Sequence, residues 1–101
     1  MSFQVIISKR AQKDVRAIVR RMAKVTPKKV DGWQEAFAVA LASLNELPKR
    51  CPLIKEETKL KGLRHLLFDQ YRIIFSILDN EVVWVNHVRH QKQKPLTSDD
   101  L

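Results

Sequence analysis

Basic side chains and one tryptophan recur through the C-terminal half of the chain, in segments whose spacing would bring them together. Arginine forks bind phosphate oxygens in pairs, and a tryptophan ring can stack on a nucleic-acid base. Cations beside one exposed aromatic ring would form a phosphate- and base-binding surface, and the alternative is a solvated face with incidental charge. The candidate residues are Arg72, Trp84, Asn86 and His90, with Arg64 or His65, and with Lys59 and Lys61 at the rim.

Three short strands must position these side chains. Residues 63–68 are rich in leucine and end in a phenylalanine, and residues 71–77 and 82–88 are rich in β-branched and aromatic residues. Short connections at 69–70 and 79–80 separate the three segments. Consecutive strands with tight turns predict an antiparallel meander. Alternation along the middle strand puts Ile73 and Phe75 in the core and Arg72 on the opposite, open face.

The last strand has no cleanly apolar side. Val83 and Val85 are good core residues, so the alternation predicts Trp84, Asn86 and His90 on the open face. The same alternation places His87 and Arg89 on the core side, where His87 is expected to be structural.

The N-terminal half predicts one strand and two helices. Residues 3–7 alternate as a strand, and Ser8 is a suitable cap for a helix that starts at Lys9. Thr26-Pro27 predicts the start of a second helix. Its apolar stripe contains Trp33 and Phe37, both expected in the core, and runs to Leu47, just before Pro48. The fold class is therefore α+β, in the order β-α-α-β-β-β, with a helical hairpin packed on one face of the sheet.

The first helix is very basic. One face carries seven cations and a single acid, Asp14. This pattern fits either a solvated face or a docking surface for nucleic acid or an acidic partner. The seven cations are Lys9, Arg10, Lys13, Arg16, Arg20, Arg21 and Lys24.

Length and composition limit the class of protein. The 101 residues predict one domain, 1–101, with a loosely ordered tail at about 91–101. The net charge of +8 favours a polyanionic or acidic partner. The lone Cys51 cannot form an internal disulfide, and its basic neighbours could lower its pKa, although an ordinary loop cysteine is the simpler interpretation. No signal peptide or membrane span is evident, so we expect a cytoplasmic protein. We also expect that the protein binds no metal or cofactor.

Several segments together resemble the RelE/ParE toxin superfamily of bacterial type II toxin–antitoxin systems. The likeness covers nearly the whole chain and is carried most clearly by Tyr71-Arg72-Ile73 and by the final strand that ends Val88-Arg89-His90. The resemblance implies a plasmid-stabilisation-type toxin that a co-expressed antitoxin neutralises by wrapping around it.

RelE-like members of the superfamily cut mRNA in the ribosomal A site. On this hypothesis the catalytic candidates are Arg72, His90, Arg64 and His65, with Arg72 at the scissile phosphate and His90 as acid or base. Lys59, Lys61, Arg89 and Trp84 would bind the RNA. Residues 89–101 contain no tyrosine, which departs from many RelE-like nucleases.

ParE-like members instead poison DNA gyrase through protein–protein contacts and need no nuclease residues. The resemblance therefore favours a ribosome-dependent mRNA endonuclease slightly, with a gyrase inhibitor as the alternative toxin activity. A third alternative is a basic RNA-binding module without catalysis. The expected partners are a cognate antitoxin and either the ribosome with its mRNA or DNA gyrase.

Overall fold

The computed structural model describes residues 3–55, 62–79 and 81–93, in which two α-helices and four strands follow the predicted order. The α+β class and the β-α-α-β-β-β sequence are therefore confirmed. The elements are β1 (Gln4–Ile7), α1 (Lys9–Val25), α2 (Val30–Ala42), β2 (Arg64–Phe68), β3 (Tyr71–Leu78) and β4 (Val82–His90). Single 3-10 turns lie at Pro27–Lys29, Ser43–Asn45 and Pro48–Arg50.

The four strands form one mixed sheet in the order β1-β4-β3-β2. β2, β3 and β4 make the predicted antiparallel meander, and β1 joins it as a parallel neighbour of β4. The connection between β2 and β3 is tight because Asp69 adopts a φ of 55°, which aspartate tolerates better than most residues. The first described strand therefore pairs with the last.

The register of β3 against β4 shifts once along its length. Ile74 pairs with His87, whereas the next residue, Phe75, pairs with Val85. Asn86 is the extra residue of this β-bulge. An extra residue reverses the alternation of side chains between the two faces of the sheet. The alternation expected for β4 therefore holds before Asn86 and is inverted after it.

One face of the sheet packs against the two helices and is called the helix-covered face. Its fully buried residues include Ile73, Phe75, Val83 and Val85. The opposite face is called the open face, and on β3 it carries Arg72, Ile74 and Ser76. Ile74 is nevertheless fully buried, because the loop residues Ile54 and Leu63 pack on it. The face predicted to be partly open is thus covered in its centre.

Helix α1 begins as the sequence predicts. The Ser8 hydroxyl accepts a hydrogen bond from the Ala11 backbone N–H at 3.0 Å, which satisfies one of the free donors of the first turn. The same hydroxyl donates to the carbonyl oxygen of Asn86 at 3.1 Å, so the cap also joins α1 to the β-bulge. Ala11 is fully buried against the sheet.

Helix α2 is held by aromatic packing. Trp33 stacks on Phe37 with ring centroids 5.2 Å apart, and it meets Phe68 and Tyr71 edge-on at 5.5 and 5.8 Å. Such pairs each contribute about 0.5–1.5 kcal/mol beyond area burial. The predicted core role of both aromatic residues of α2 is confirmed, since Phe37 is buried and Trp33 is half-buried.

Two details at the ends of α2 differ from the prediction. Pro27 starts a 3-10 turn, and the α-helix itself begins three residues later at Val30. Leu47, expected to end the apolar stripe, is 75% exposed, because α2 ends at Ala42 and the chain turns left-handed at Leu47 with a φ of 49°. Of the predicted tail, residues 91–93 are described and 94–101 lie outside the described residues.

Candidate functional site

The β-bulge decides where the proposed catalytic histidine lies. His90 pairs with Tyr71, which belongs to the helix-covered face, whereas Arg72 points to the open face. His90 also lines a cleft between α1 and the end of the sheet, together with Ile18 and Arg21. The prediction that His90 and Arg72 share the open face is therefore wrong, because it assumed unbroken alternation through Asn86.

Hydrogen bonds from the protein occupy both ring nitrogens of His90. The backbone N–H of Lys92 donates to His90 Nδ1 at 3.0 Å, so Nδ1 is an acceptor. In a neutral ring the proton then lies on Nε2, which donates to Gln70 Oε1 at 3.0 Å. The ring also meets Tyr71 edge-on at 5.3 Å. These contacts give His90 a structural role in the turn that follows β4.

A different set of candidates comes together on the open face. Arg72 pairs with Arg89 across β3 and β4, so their side chains leave the sheet on the same side. Arg72 Nε donates to His65 Nδ1 at 3.1 Å. Of the two alternatives at the start of the meander, His65 is thus the one that shares a face with Arg72. We call Arg72, Arg89 and His65 the open-face cluster.

Burial limits what the open-face cluster can contact. Arg89 is only 8% exposed, while Arg72 and His65 are half-buried. His87, which follows the bulge, is 2% exposed, and its Nδ1 lies 3.8 Å from Asp14 Oδ2. His87 is buried, but the prediction that it lies on the core side is wrong, because it pairs with Ile74 of the open face. Arg89 was expected on the core side, and the bulge moves it to the face of Arg72.

Arg64 stabilises a loop and does not join the cluster. It pairs with Phe75 on the helix-covered face, and its Nη1 donates to the carbonyl oxygens of Cys51 and Lys49 at 2.6 and 3.2 Å. A guanidinium committed to two carbonyls holds the chain that precedes β2. The two rim lysines, Lys59 and Lys61, lie outside the described residues.

Trp84 lies on the open face, as the alternation before the bulge predicts. It pairs with Ser76 and is half-buried. Asn86 Nδ2 donates to Ser76 Oγ at 3.2 Å and to the Trp84 carbonyl at 3.3 Å. The bulge residue therefore uses its side chain to fix the strand locally. The stacking and RNA-binding role of Trp84 stays a prediction.

Cys51 is a buried thiol. It is 4% exposed, and burial raises its pKa more than the neighbouring guanidinium groups of Arg50 and Arg64 lower it. A raised pKa keeps the thiol protonated near neutral pH. The basic sequence around Cys51 therefore does not make it a reactive cysteine.

Asp14 has a role that the sequence analysis missed. Its Oδ2 accepts a hydrogen bond from the Val88 backbone N–H at 3.0 Å, and its Oδ1 pairs with Arg10 Nε at 3.2 Å. Val88 lies beyond the part of β4 that β1 covers, so this N–H would otherwise lack a strand partner. The sequence contains a signal for this role, because Asp14 is the only acidic residue of α1, which has seven basic residues.

Two classes of site are absent from the described part of the chain. Among residues 3–55, 62–79 and 81–93, no group of three or more His, Cys, Asp or Glu side chains is placed to hold a metal ion. Over the same residues, no helix is long and apolar enough to cross a membrane.

Comparison with known proteins identifies the family. Residues 5–95 match the family described as ParE toxin of type II toxin–antitoxin system, parDE. Among solved structures, the fold is similar to a chain of the chromosomal ParDE system from P. aeruginosa, with a TM-score of 0.72 and 12% identity over 88% of this chain and 96% of that chain.

A second similar structure comes from the RelBE2 toxin–antitoxin complex of Mycobacterium tuberculosis, with a TM-score of 0.57 and 20% identity over 89% of this chain and 99% of that one. A search of curated proteins found no match. Because the family match spans nearly all of the sequence, this chain belongs to the ParE toxin family of type II toxin–antitoxin systems.

Proposed function

We propose that this toxin acts by binding DNA gyrase and not by cutting RNA. The superfamily resemblance offers both activities, and the family match favours the ParE type. Gyrase poisoning requires a stable binding surface and no acid–base pair on the toxin. The basic charge of +8 is compatible with a target that works on DNA.

The observation that carries this proposal is the position of His90. A general acid or base must come within hydrogen-bond reach of the proton that it transfers. His90 instead lies on the helix-covered face, and both of its ring nitrogens have partners in the protein. The arginine expected at the scissile phosphate, Arg72, points to the other face. The C-terminal histidine and Arg72 therefore do not form one centre.

Two assays on the purified toxin separate the activities. We expect inhibition of gyrase supercoiling of a relaxed plasmid at micromolar toxin, with accumulation of cleaved plasmid, and intact mRNA on translating ribosomes. Because His90 is assigned a structural role, His90→Gln should inhibit gyrase as well as the wild type does. Unaffected supercoiling at saturating toxin would contradict the proposal.

We also propose a cognate antitoxin as the partner that neutralises this toxin. The similar structures come from a ParDE system and from a RelBE2 toxin–antitoxin complex. The strongly basic surface fits an antitoxin segment that is acidic or amphipathic. Co-expression with the product of an adjacent reading frame should give a complex that co-purifies and restores gyrase activity. A free toxin in that experiment would contradict the pairing.

RNA cleavage by the open-face cluster is the second candidate function. The specific observation is the 3.1 Å hydrogen bond from Arg72 Nε to His65 Nδ1, with Arg89 paired to Arg72. On this hypothesis the RNA 2′-hydroxyl loses its proton to water and attacks the phosphorus as the bond to the 5′ oxygen breaks. A neutral His65 that accepts at Nδ1 carries its proton on Nε2 and donates it to the leaving 5′ oxygen, while Arg72 holds the phosphate.

A matched pair of variants tests this second candidate. If the wild-type toxin cleaves mRNA on ribosomes, His65→Ala should reduce cleavage at least about tenfold, whereas His90→Ala should leave it within about twofold. Both variants remove an imidazole, and only one of these imidazoles lies beside Arg72. Equal losses in the two variants would exclude the open-face cluster as the catalytic centre.

A further inference from the structure

The outer surface of α1 carries a row of cations that no described residue pairs with. The row follows positions i, i+4, i+7, i+11 and i+15, which fall on one side of a helix. We call it the α1 stripe. Its members, all exposed, are Lys9, Lys13, Arg16, Arg20 and Lys24.

The α1 stripe points away from the rest of the molecule. The inward side of the helix carries Ala11, Val15 and Ile18, which pack on the core. At 100° per residue the stripe lies on the opposite side of the helix axis. The cations therefore project into solvent and are separate from the open-face cluster.

Nothing in the described chain neutralises these charges. The carboxylate of Asp14 pairs with Arg10 and accepts the Val88 backbone N–H, and both of these groups are outside the α1 stripe. Within residues 3–55, 62–79 and 81–93, no member of the stripe forms an ion pair. The α1 stripe therefore presents five uncompensated positive charges along about 22 Å of helix, at a rise of 1.5 Å per residue.

The arrangement opposes folding of the helix. Neighbours at i+3 and i+4 within the stripe repel each other, as Lys9 and Lys13 do. Lys9 also lies in the first turn, which contains no acid, next to the positive end of the helix dipole. Mixed charges would give the same solubility without this repulsion. A polyanion that binds the α1 stripe would remove this repulsion between neighbouring cations.

The composition of the α1 stripe favours a phosphate backbone over a protein partner. Protein interfaces need buried apolar or aromatic anchors and are depleted in lysine. The stripe contains three lysines, two arginines and no apolar residue. Duplex DNA presents one negative charge per about 1.7 Å of its axis, enough to face every cation of the row.

We propose that the α1 stripe binds the phosphate backbone of duplex DNA without sequence preference. Each cation that neutralises a phosphate contributes about −0.9 to the slope of log affinity against log salt concentration. Five such contacts predict a slope of about −4.5. This binding is separate from the toxin's action on its target and does not depend on the identity of that target.

Fluorescence anisotropy with a labelled duplex of about 20 base pairs, between about 50 and 200 mM salt, measures this slope. The test variant is Lys13→Gln/Arg16→Gln/Arg20→Gln, which keeps good helix formers on an exposed face. The matched control removes three exposed cations outside α1 and α2, Lys28→Gln/Lys49→Gln/Lys92→Gln. Circular dichroism verifies the fold of each variant, and the single variant Arg16→Gln repeats the test on a smaller scale.

We expect the test variant to lower the magnitude of the slope by about 3, the single variant by about 1, and the control by less than about 1. Equal losses in the test and control variants would overturn the proposal, because binding would then reflect net charge alone. Absence of DNA binding at the lowest salt concentration would also overturn it. The proposal would also be overturned if the test variant lost affinity for a polyglutamate peptide while its affinity for DNA stayed unchanged. The partner of the α1 stripe would then be an acidic protein.

Discussion

The two halves of β4 have different neighbours. From Val82 to Val85 the strand lies between β1 and β3, and backbone hydrogen bonds satisfy both of its edges. From Asn86 onward it has β3 on one side only, and side chains take the place of the missing strand on the other. A regular ladder keeps strict alternation, whereas an edge held by side chains can accommodate an extra residue.

Three side chains replace the missing strand along the second half. The Ser8 hydroxyl donates to the Asn86 carbonyl, Asp14 accepts from the Val88 N–H, and Gln93 accepts from the His90 N–H at 2.7 Å. Gln93 N–H in turn donates to the His90 carbonyl at 3.0 Å. The comparison shows that α1 and the turn after β4 fix the orientation of the side chains at this end of the sheet.

Deletion of Asn86 should have the largest effect, because it removes the bulge. Without the extra residue, either the ladder slips or every side chain from His87 to His90 moves to the opposite face. We expect a loss of at least about 4 kcal/mol in the free energy of unfolding, measured by urea denaturation, or a protein that does not fold. As a control, Asn86→Gly keeps the residue count and should lose about 1 kcal/mol. A deletion variant as stable as the wild type would contradict the role of the bulge.

Asp14→Ala should have the next largest effect. It removes the acceptor of the Val88 N–H and leaves a partly buried donor without a partner, at a cost of about 2 kcal/mol in urea denaturation. Asp14→Asn keeps an acceptor oxygen and should lose less. Arg10→Gln, which removes only an exposed ion pair, should lose less than about 1 kcal/mol. Equal losses for Arg10→Gln and Asp14→Ala would show that the ion pair, not the edge contact, is the important interaction.

Ser8→Ala removes the cap of α1 and its bond to the bulge at once. We expect a loss of about 1–2 kcal/mol in the free energy of unfolding, from the missing acceptor of the Ala11 N–H. Ser8→Thr keeps the hydroxyl and should lose less than half as much. Thermal unfolding followed by circular dichroism compares the two variants, and identical melting temperatures would contradict the capping role.

Gln93→Ala should have the smallest effect, since its contacts to the His90 backbone are exposed to water. We expect a loss of about 0.5 kcal/mol or less, together with faster amide hydrogen exchange at His90. Lys92→Ala is the matched control, because the Lys92 contact to His90 uses the backbone N–H and survives the substitution. Exchange at His90 that is unchanged in Gln93→Ala would contradict this contact.

The sequence predicts those parts of the fold that depend on local patterns. Three features follow from neighbouring residues, and the structure confirms each of them. They are the alternation of Val83 and Val85, the Ser8 cap, and the apolar stripe of α2 that contains Phe37. Leu47 fits the spacing of the apolar stripe of α2 but lies outside it, because α2 ends at Ala42 and the chain then turns.

The candidate site was harder to predict because it depends on registry between distant segments. Asn86 has no feature that marks it as a bulge residue, and the shift becomes visible only when Val85 and His87 are paired with β3. The consequences for Arg89 and His90 follow from that single shift. The catalytic and RNA-binding roles assigned from the superfamily resemblance stay predictions.

The pairing of β1 with β4 also determines when the toxin can mature. Ser8 and Asn86, at the junction of the two strands, are 78 residues apart. Closing a loop of that length costs about 4 kcal/mol in chain entropy, which later contacts must offset. Translation must pass residue 85 before Ile7 can meet its partner, Val85. A ribosome-bound nascent chain therefore lacks the complete sheet until the residues of β4 have been synthesised, and contacts this distant in sequence slow folding.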